Sequence, residues 1–367
     1  MCGVEYTPSR AASPWGFVMS SRPLAGLGQK EQSHSSESSL LVNLGALRRG
    51  GGLTHVAGFL PELVAQRPWR YSFFVARELE EWASEFGHCY THNHPPGDWR
   101  LRAADQVTVR RLSRDHDVVL SVMNHGPIAV GKPHILWACN VLHFDQTSSA
   151  VGFINNQFAR RAMQSANTVI FPSESARREG GRWAKGNAAV LPHPFRSDIG
   201  RWNAPSDTKD LRIFVPSTAN AHKNLDLLPA VADELASRGF ACEFGVTAEQ
   251  LPNHGSVSTV PRYEHGDMAA VASRYDVAFL PTLRESYSYP LLELAHMGMP
   301  VAASDIGPHR ELASHAVLFD PNDAVAGAQA ILEARESSAR DGSERFLSPD
   351  QYAKMVWSKV DESLEDR

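Results

Sequence analysis

The densest run of chemically capable residues is Arg284-Glu285-Ser286-Tyr287-Ser288-Tyr289-Pro290-Leu291-Leu292-Glu293. It follows a strand-like run, Asp276–Leu280, and predicts a helix reaching about Met297. Pro290 suits the first helical position, where its missing N–H costs nothing. Amides around Ser288, Leu291 and Leu292 would then face outward at a positive helix end, a ready site for a diphosphate. Glu285 and Glu293 bracket that end, and a carboxylate there can accept bonds from the paired hydroxyls of a ribose. The plainer alternative is that both glutamates only favour the helix N-terminus electrostatically.

A second stretch, Pro216-Ser217-Thr218-Ala219-Asn220-Ala221-His222-Lys223-Asn224-Leu225, comes directly after the run Leu211–Val215. Breaking a bond to a diphosphate leaves growing negative charge, which a metal ion or fixed basic groups must stabilise. Lys223, at a strand-to-helix turn with His222 beside it, is placed for that. Its plainer alternative is an ordinary surface lysine. A third stretch, Gly50-Gly51-Gly52, lets backbone approach a phosphate closely at a helix start. No nicotinamide-type G-x-G-x-x-G is present, which counts against a dehydrogenase.

Short apolar runs must position these residues. They are Leu40–Leu44, Tyr71–Val75, Val118–Val122, His134–Ala138, Thr168–Phe171, Leu211–Val215, Cys242–Val246, Val277–Leu280 and Val301–Ala303. Longer segments of helical period alternate with them, including Leu53–Gln66 and Leu225–Ser237. Such alternation predicts parallel α/β layers. The polar stretch Arg196–Lys209, with Pro205, interrupts the pattern. The expected organisation is a disordered tail over 1–38, an N-terminal Rossmann-like domain over 39–198 and a C-terminal Rossmann-like domain over 207–345. A final amphipathic helix within 346–367 carries Tyr352, Met355, Val356 and Val360 on one side.

The stretch from Glu285 reads E-S-Y-S-Y-P-L-L-E-L-A-H-M-G-M-P-V-A-A-S-D-I-G-P-H-R-E-L, then A-V-L-F-D-P to Pro321. It resembles the donor-binding signature of retaining GT-B glycosyltransferases of the group-1 (family 4) type: E-x7-E, then G-x-P-V and a Ser-Asp-x-Gly turn. Gly298, Pro300, Ser304, Asp305 and Gly307 supply the later positions. The resemblance covers most of residues 40–360 and is specific in 213–225 and 276–321. It implies two facing Rossmann-like domains with parallel sheets, and a last helix crossing back onto the first domain. It implies a hexosyltransferase-like, retaining enzyme that needs no metal and no cofactor. Donor-site roles follow by the same resemblance: Glu293 on the ribose, Glu285 on the donor sugar, the Ser286–Tyr289 backbone and Leu292 around sugar and diphosphate, and Lys223 on the diphosphate. The loop with Gly51 and Gly52 would close over the donor. His222 stands where arginine is commoner. Asn140 stands where many members carry a histidine, with His143 three residues later, so Asn140 is the candidate partner of the donor sugar. Two other readings stay open: a GT-B nucleotide-sugar epimerase, and a catalytically silent homologue that scaffolds glycan assembly.

The rest of the composition narrows the class. The 367 residues carry a net charge of −5, but residues 1–200 hold 21 basic against 16 acidic side chains, and the remainder 15 against 25. Arg48, Arg49, Arg100, Arg102, Arg110, Arg111 and Arg114 account for much of the basic excess. They suggest an anionic, lipid-linked acceptor or peripheral contact with an anionic membrane, or simply a solvated face. The expected partners are a nucleotide-diphosphate sugar and a sugar or lipid-linked acceptor, with no nucleic acid. No apolar run is long enough to span a bilayer, and four scattered cysteines suit a cytoplasmic protein without disulfides. Asp115-His116-Asp117 precedes a strand, the wrong end for ligand binding in such a sheet. His88, Cys89, His92 and His94 have a conceivable zinc spacing but lack a fourth ligand.

Overall fold

The computed structural model describes residues 38–48, 51–95, 98–140, 150–195, 199–205, 210–261, 263–312, 315–337 and 346–365. The expected tail (except Ser38), Gly50, His143 and parts of the Arg196–Lys209 stretch lie outside the described residues.

Among the described residues, thirteen strands form two sheets. The first contains β1 (Ser39–Asn43), β2 (Arg70–Ala76), β3 (His88–His92), β4 (Val118–Ser121), β5 (His134–Trp137), β6 (Thr168–Phe171) and β7 (Asn187–Val190). Their order is β3-β2-β1-β4-β5-β6-β7. The second contains β8 (Leu211–Val215), β9 (Cys242–Val246), β10 (Val257–Thr259), β11 (Val277–Leu280), β12 (Val301–Ser304) and β13 (Val317–Phe319), ordered β10-β9-β8-β11-β12-β13. Every neighbouring pair is parallel. The central strands β1, β4, β5, β6, β11 and β12 are buried at every position. Continuous apolar runs of this kind need cover on both faces, which helical crossovers supply.

The helices are α1 (Gly51–Gln66), α2 (Glu80–Ser84), α3 (Trp99–Ala104), α4 (Arg110–Leu112), α5 (Ala150–Ser165) and α6 (Glu174–Gly180) in the first half. The second half adds α7 (Leu228–Ser237), α8 (Met268–Ala272), α9 (Tyr289–Met297), α10 (Gly307–Leu312), α11 (Ala324–Glu336) and α12 (Pro349–Glu365). The helix expected from Leu225 opens instead with a tight turn, Leu225–Leu227, before α7. β3, β7, β10 and β13, which no apolar run signalled, are the four edges of the two sheets. Edge strands are half-solvated and polar; β3 and β10 each bury at most one residue fully.

Both sheets reverse strand order next to their first strand: β1 lies between β2 and β4, and β8 between β9 and β11. At such a reversal the chain leaves neighbouring strands toward opposite faces, and a crevice opens at their carboxyl ends. The Pro216–Asn224 and Pro281–Ser288 loops flank the crevice of the second sheet. The loops after β1 and β4 flank that of the first.

α12 packs on α1, although it follows the second domain in sequence. Tyr352, Val356, Trp357 and Val360 join the core cluster that holds Val56, Leu60 and Leu63. The Trp357 indole donates to Leu63 O at 3.0 Å, and the Arg67 guanidinium lies 4.4 Å over its ring. Arg67 also holds Asp361 with two bonds of 2.7 and 2.6 Å. The two contacts differ in burial: Trp357 is 3% exposed, whereas the Asp361 side chain is 46% exposed. Trp357→Ala is expected to destabilise the first domain by about 3–5 kcal/mol, and Asp361→Ala by less than about 1 kcal/mol. Urea midpoints of the two variants check this; equal losses would show that α12 is held by its ion pair rather than by its apolar stripe.

Candidate functional site

The loop after β8 is fixed by Asn224, which adopts a left-handed conformation (φ 56°). Its amide donates to Pro281 O at 3.1 Å and Pro321 O at 2.8 Å, tying together the ends of β11 and β13. His222 O accepts from Leu283 N (2.8 Å) and Thr282 Oγ1 (2.9 Å). These bonds bring Lys223 against the β11 loop, where Lys223 Nζ and Glu285 form an ion pair. Their side chains are only 18% and 14% exposed. Desolvation raises the Glu285 pKa, and Lys223 opposes part of that rise. Burial, then the neighbouring Lys223 charge, pushes the His222 imidazole down. Lys223, Glu285, Ser288, Pro290, Thr282 and Ser217 line one cleft.

α9 begins as the sequence predicts, with Pro290 in its first turn. Ser288 makes no side-chain cap, so no hydroxyl competes for the first-turn amides. The Leu292 amide donates to Ser288 O at 3.3 Å, and its side chain is buried in the core of the second domain. Gly298 ends the helix at φ +78°, where glycine avoids the penalty of a Cβ. Ser304 Oγ donates to Leu280 O at 3.0 Å, joining β12 to the end of β11.

The first domain grips the same loop. Ser173 caps α6, accepting from Ala176 N at 3.0 Å, and its hydroxyl donates to Ser286 O at 2.9 Å. Tyr287 donates to His193 O at 3.2 Å. Arg284 pairs with Glu179 of α6. Glu311 of α10 accepts from the amides of Glu174 and Ser175 at 2.8 and 2.7 Å. The rings of Tyr287 and Tyr289 lie against His193, so this loop offers its backbone, rather than its aromatic rings, to the cleft.

Glu293 sits one turn into α9, 12% exposed, with His265 Nδ1 3.8 Å from its carboxylate. Tyr263 also lies near it. At the first sheet, Asn140 and Asn124 exchange bonds: Asn124 Nδ2 to Asn140 O and Asn140 N to Asn124 Oδ1, both 3.0 Å. Gly51 opens α1. A Cβ on Gly52 would stand 2.6 Å from Met123 Sδ, so Gly52 serves close packing of the helix on the β4 loop.

Several residues of conspicuous spacing take structural places. Asp117 accepts from Ser39 N and Oγ, both at 2.9 Å, and holds the entry ends of β1 and β4, opposite the cleft. Arg102 leaves the basic group: it is 1% exposed and donates to Asn124 O at 3.0 Å. His92 bonds Gly45 O at 3.0 Å and Cys89 bonds Glu80 O at 3.9 Å, so the His88–His94 spacing does not assemble a metal centre. No spacing signalled His193 or the Arg284–Glu179 pair, because their partners lie more than ninety residues away in sequence.

Residues 213–337 match the family model described as glycosyl transferases group 1. Sucrose-phosphate synthase from Thermosynechococcus elongatus superposes with a TM-score of 0.68 at 14% identity, covering 90% of this chain and 100% of that one. HepE of Anabaena in complex with UDP gives 0.62 at 16% identity, over 89% and 100% of the two chains. The lipopolysaccharide outer core galactosyltransferase WaaB in its apo form gives 0.63 at 14% identity, over 89% and 99%. No curated protein sequence matches the chain. The fold is GT-B, and the match to the group 1 model falls in its second domain. The matched segment begins in β8 and ends just past α11, so it contains Lys223, Glu285 and Glu293 together.

Burial pushes the Glu293 carboxyl up to about 7 from its ordinary 4.5. An acid raised in this way binds more protons folded than unfolded between those values. Its contribution to stability is therefore highest below the unfolded pKa and is lost as pH climbs through the window from about 4.5 to 7. Above it, the ionised carboxylate costs the GT-B fold up to about 3 kcal/mol. Glu293→Gln is expected to raise the thermal midpoint at pH 8 by roughly 2–6 °C and to leave it nearly unchanged near pH 5. A lower midpoint at pH 8 would mean that this carboxylate already has a satisfying partner.

Proposed function

We propose that this protein is a glycosyltransferase that moves a sugar from a nucleotide-diphosphate donor to an acceptor, with retention of anomeric configuration and without a metal on the diphosphate. One observation carries the reading: Lys223, Glu285 and the uncapped start of α9 share a cleft at the order reversal of the second sheet, within the segment that matches group 1 glycosyl transferases. HepE, of the same fold, has been solved in complex with UDP-glucose.

In this mechanism Glu293 accepts the ribose hydroxyls, and the diphosphate rests on the first-turn amides of α9 and on Lys223. Lys223 exchanges Glu285 for the incoming diphosphate, and the released Glu285 carboxylate turns to the donor sugar. The bond from the anomeric carbon to the phosphate oxygen breaks, its electron pair staying on the diphosphate. The acceptor hydroxyl attacks from the same face, and its proton passes to the departing phosphate oxygen. Lys223 stabilises that charge as it grows, which is where fixed electrostatics contribute most. Asn140 bonds the donor sugar, the loop with Gly51 and Gly52 closes over the donor, and His222 stands beside the diphosphate.

A calorimetric and thermal-shift screen of UDP, GDP, ADP and dTDP, with EDTA present, tests the donor site. One nucleotide should stabilise the wild type and fail to stabilise Glu293→Ala. With the donor so identified, Lys223→Ala should lower kcat by about 10²-fold or more while nucleotide binding persists. Binding without turnover in the wild type would favour the silent homologue. Anomeric configuration of the product, read by NMR, tests retention.

The first domain carries a surface of a different kind. Trp99, Val107, Val151, Phe153 and Ile154 are exposed at 45–70%, and α3 packs against α5. Arg100, Arg110, Arg111 and Arg114 are exposed beside them. Apolar side chains fringed by arginine suit the interface of an anionic bilayer, where a lipid-linked acceptor would be presented. No helix among the described residues is long and apolar enough to cross a membrane. Replacing Arg110 and Arg111 with Ser should weaken binding to phosphatidylglycerol vesicles and leave donor binding intact; unchanged vesicle binding would remove this surface from the reading.

A further inference from the structure

Three potential metal ligands from distant parts of the chain meet at the junction of the two domains. His55 lies on α1, Cys139 just past β5, and His193 just past β7. One ligand atom from each lies within 4.8 Å of the other two. Both histidines are buried, at 1% and 5% exposure, with ring centroids 3.8 Å apart and near-perpendicular planes. Nδ1 of each is buried and has no hydrogen-bond partner. Unpaired polar atoms at such depth are uncommon because each loses its bonds to water.

We infer that His55, Cys139 and His193 form a zinc site, a Cys/His2 set that binds the ion at the junction beneath the donor loop. The second shell fits this assignment. His55 Nε2 lies 2.9 Å from the Tyr352 hydroxyl; when the imidazole donates that bond, its Nδ1 lone pair is left for a metal. Tyr289, whose hydroxyl is also buried without a partner, has its ring against His193 at 5.5 Å between centroids. Ligand atoms around tetrahedral zinc stand roughly 3.3–3.8 Å apart, so the set closes on an ion with side-chain shifts on the order of an ångström. One thiolate and two imidazoles are a donor set matched to zinc rather than to magnesium or calcium. On binding, the Cys139 proton leaves to solvent as the S–Zn bond forms; the neutral imidazoles release none.

The position separates this ion from the transfer chemistry. None of the three residues lines the cleft that holds Lys223 and Glu285. His193 instead touches Tyr287 and Tyr289, and His55 touches Tyr352 of α12. A zinc ion here would staple the glycine-loop helix, the end of β5 and the segment leading to the second domain, all under the donor loop.

The test uses the full chain, reduced, treated with EDTA and then freed of it. Cobalt(II), added as a spectroscopic substitute, should bind at one equivalent with visible d–d bands of tetrahedral type and a thiolate-to-cobalt charge-transfer band. Zn²⁺ should displace it. Cys139→Ser should abolish the charge-transfer band and weaken cobalt binding at least tenfold; His193→Gln should weaken it similarly, while a His88→Gln, His94→Gln double variant should bind as the wild type does. Because His193 is buried and Cys139 half-buried at a junction, a measurement on the unaltered protein stands beside the variants. Zn²⁺ should slow alkylation of Cys139, followed peptide by peptide, and leave Cys89 and Cys242 unchanged. No charge-transfer band in the wild type, the same band in Cys139→Ser, or Cys139 alkylation indifferent to Zn²⁺ would each overturn the site.

Discussion

The reversal of strand order beside β8 is the constraint on which the site depends. A parallel sheet sends its crossovers to one face until the order turns, and only at that turn do adjacent loops part and leave the carboxyl ends of two strands open. The loops after β8 and β11 carry Lys223 and Glu285. The helix that follows β11 presents its N-terminus to the same opening. Moving either residue to another strand end would place it under a crossover, where no ligand reaches. Asn224 then makes the local geometry definite, since its left-handed turn and two amide bonds bind the β8 loop to the ends of β11 and β13.

The site keeps charge in poor surroundings. Glu285 and Glu293 are both raised by desolvation, and Glu285 is paired with Lys223. A core made for stability alone would hold apolar residues at such positions. Retaining the carboxylates makes sense for groups that regain hydrogen bonds when a polar ligand enters, because the penalty of the empty state then becomes selectivity for hydroxyls. The Lys223–Glu285 pair has the same logic: each neutralises the other until a stronger anion arrives.

Much of this was legible in the sequence, and what was not has a physical reason. Every interior strand announced itself as an apolar run, because both of its faces are buried. The four edge strands did not, since solvent on one side allows the polar residues of His88–His92 and Val257–Thr259. The donor stretch was readable because its parts are contiguous: a strand, a loop with a glutamate, a proline and a helix. Contacts between domains were unreadable for the converse reason. His55, Cys139 and His193 carry no spacing signal, and Arg102 looks like one of a row of surface arginines until α3 turns it toward Asn124 O. A Cβ on Gly52 would crowd the sulfur of Met123, a packing contact that the glycine run does not announce.

The junction makes the two halves one device. The Arg284–Ser288 loop is held from the first domain by a hydroxyl on Ser286 O, by a carbonyl that accepts from Tyr287 and by the Glu179 carboxylate on Arg284. All three contacts fall within the four residues ahead of Ser288, so any rotation of one domain against the other pulls directly on the segment that leads into the α9 amides. α12 resists such rotation by a different route, burying Tyr352 and Trp357 in the first domain's core. A loop fixed from one side by its own sheet and from the other by the facing domain has little freedom to adapt to its ligand. Its specificity must then come from the geometry in which it is already held, which is the condition under which preorganised dipoles act most strongly on developing charge.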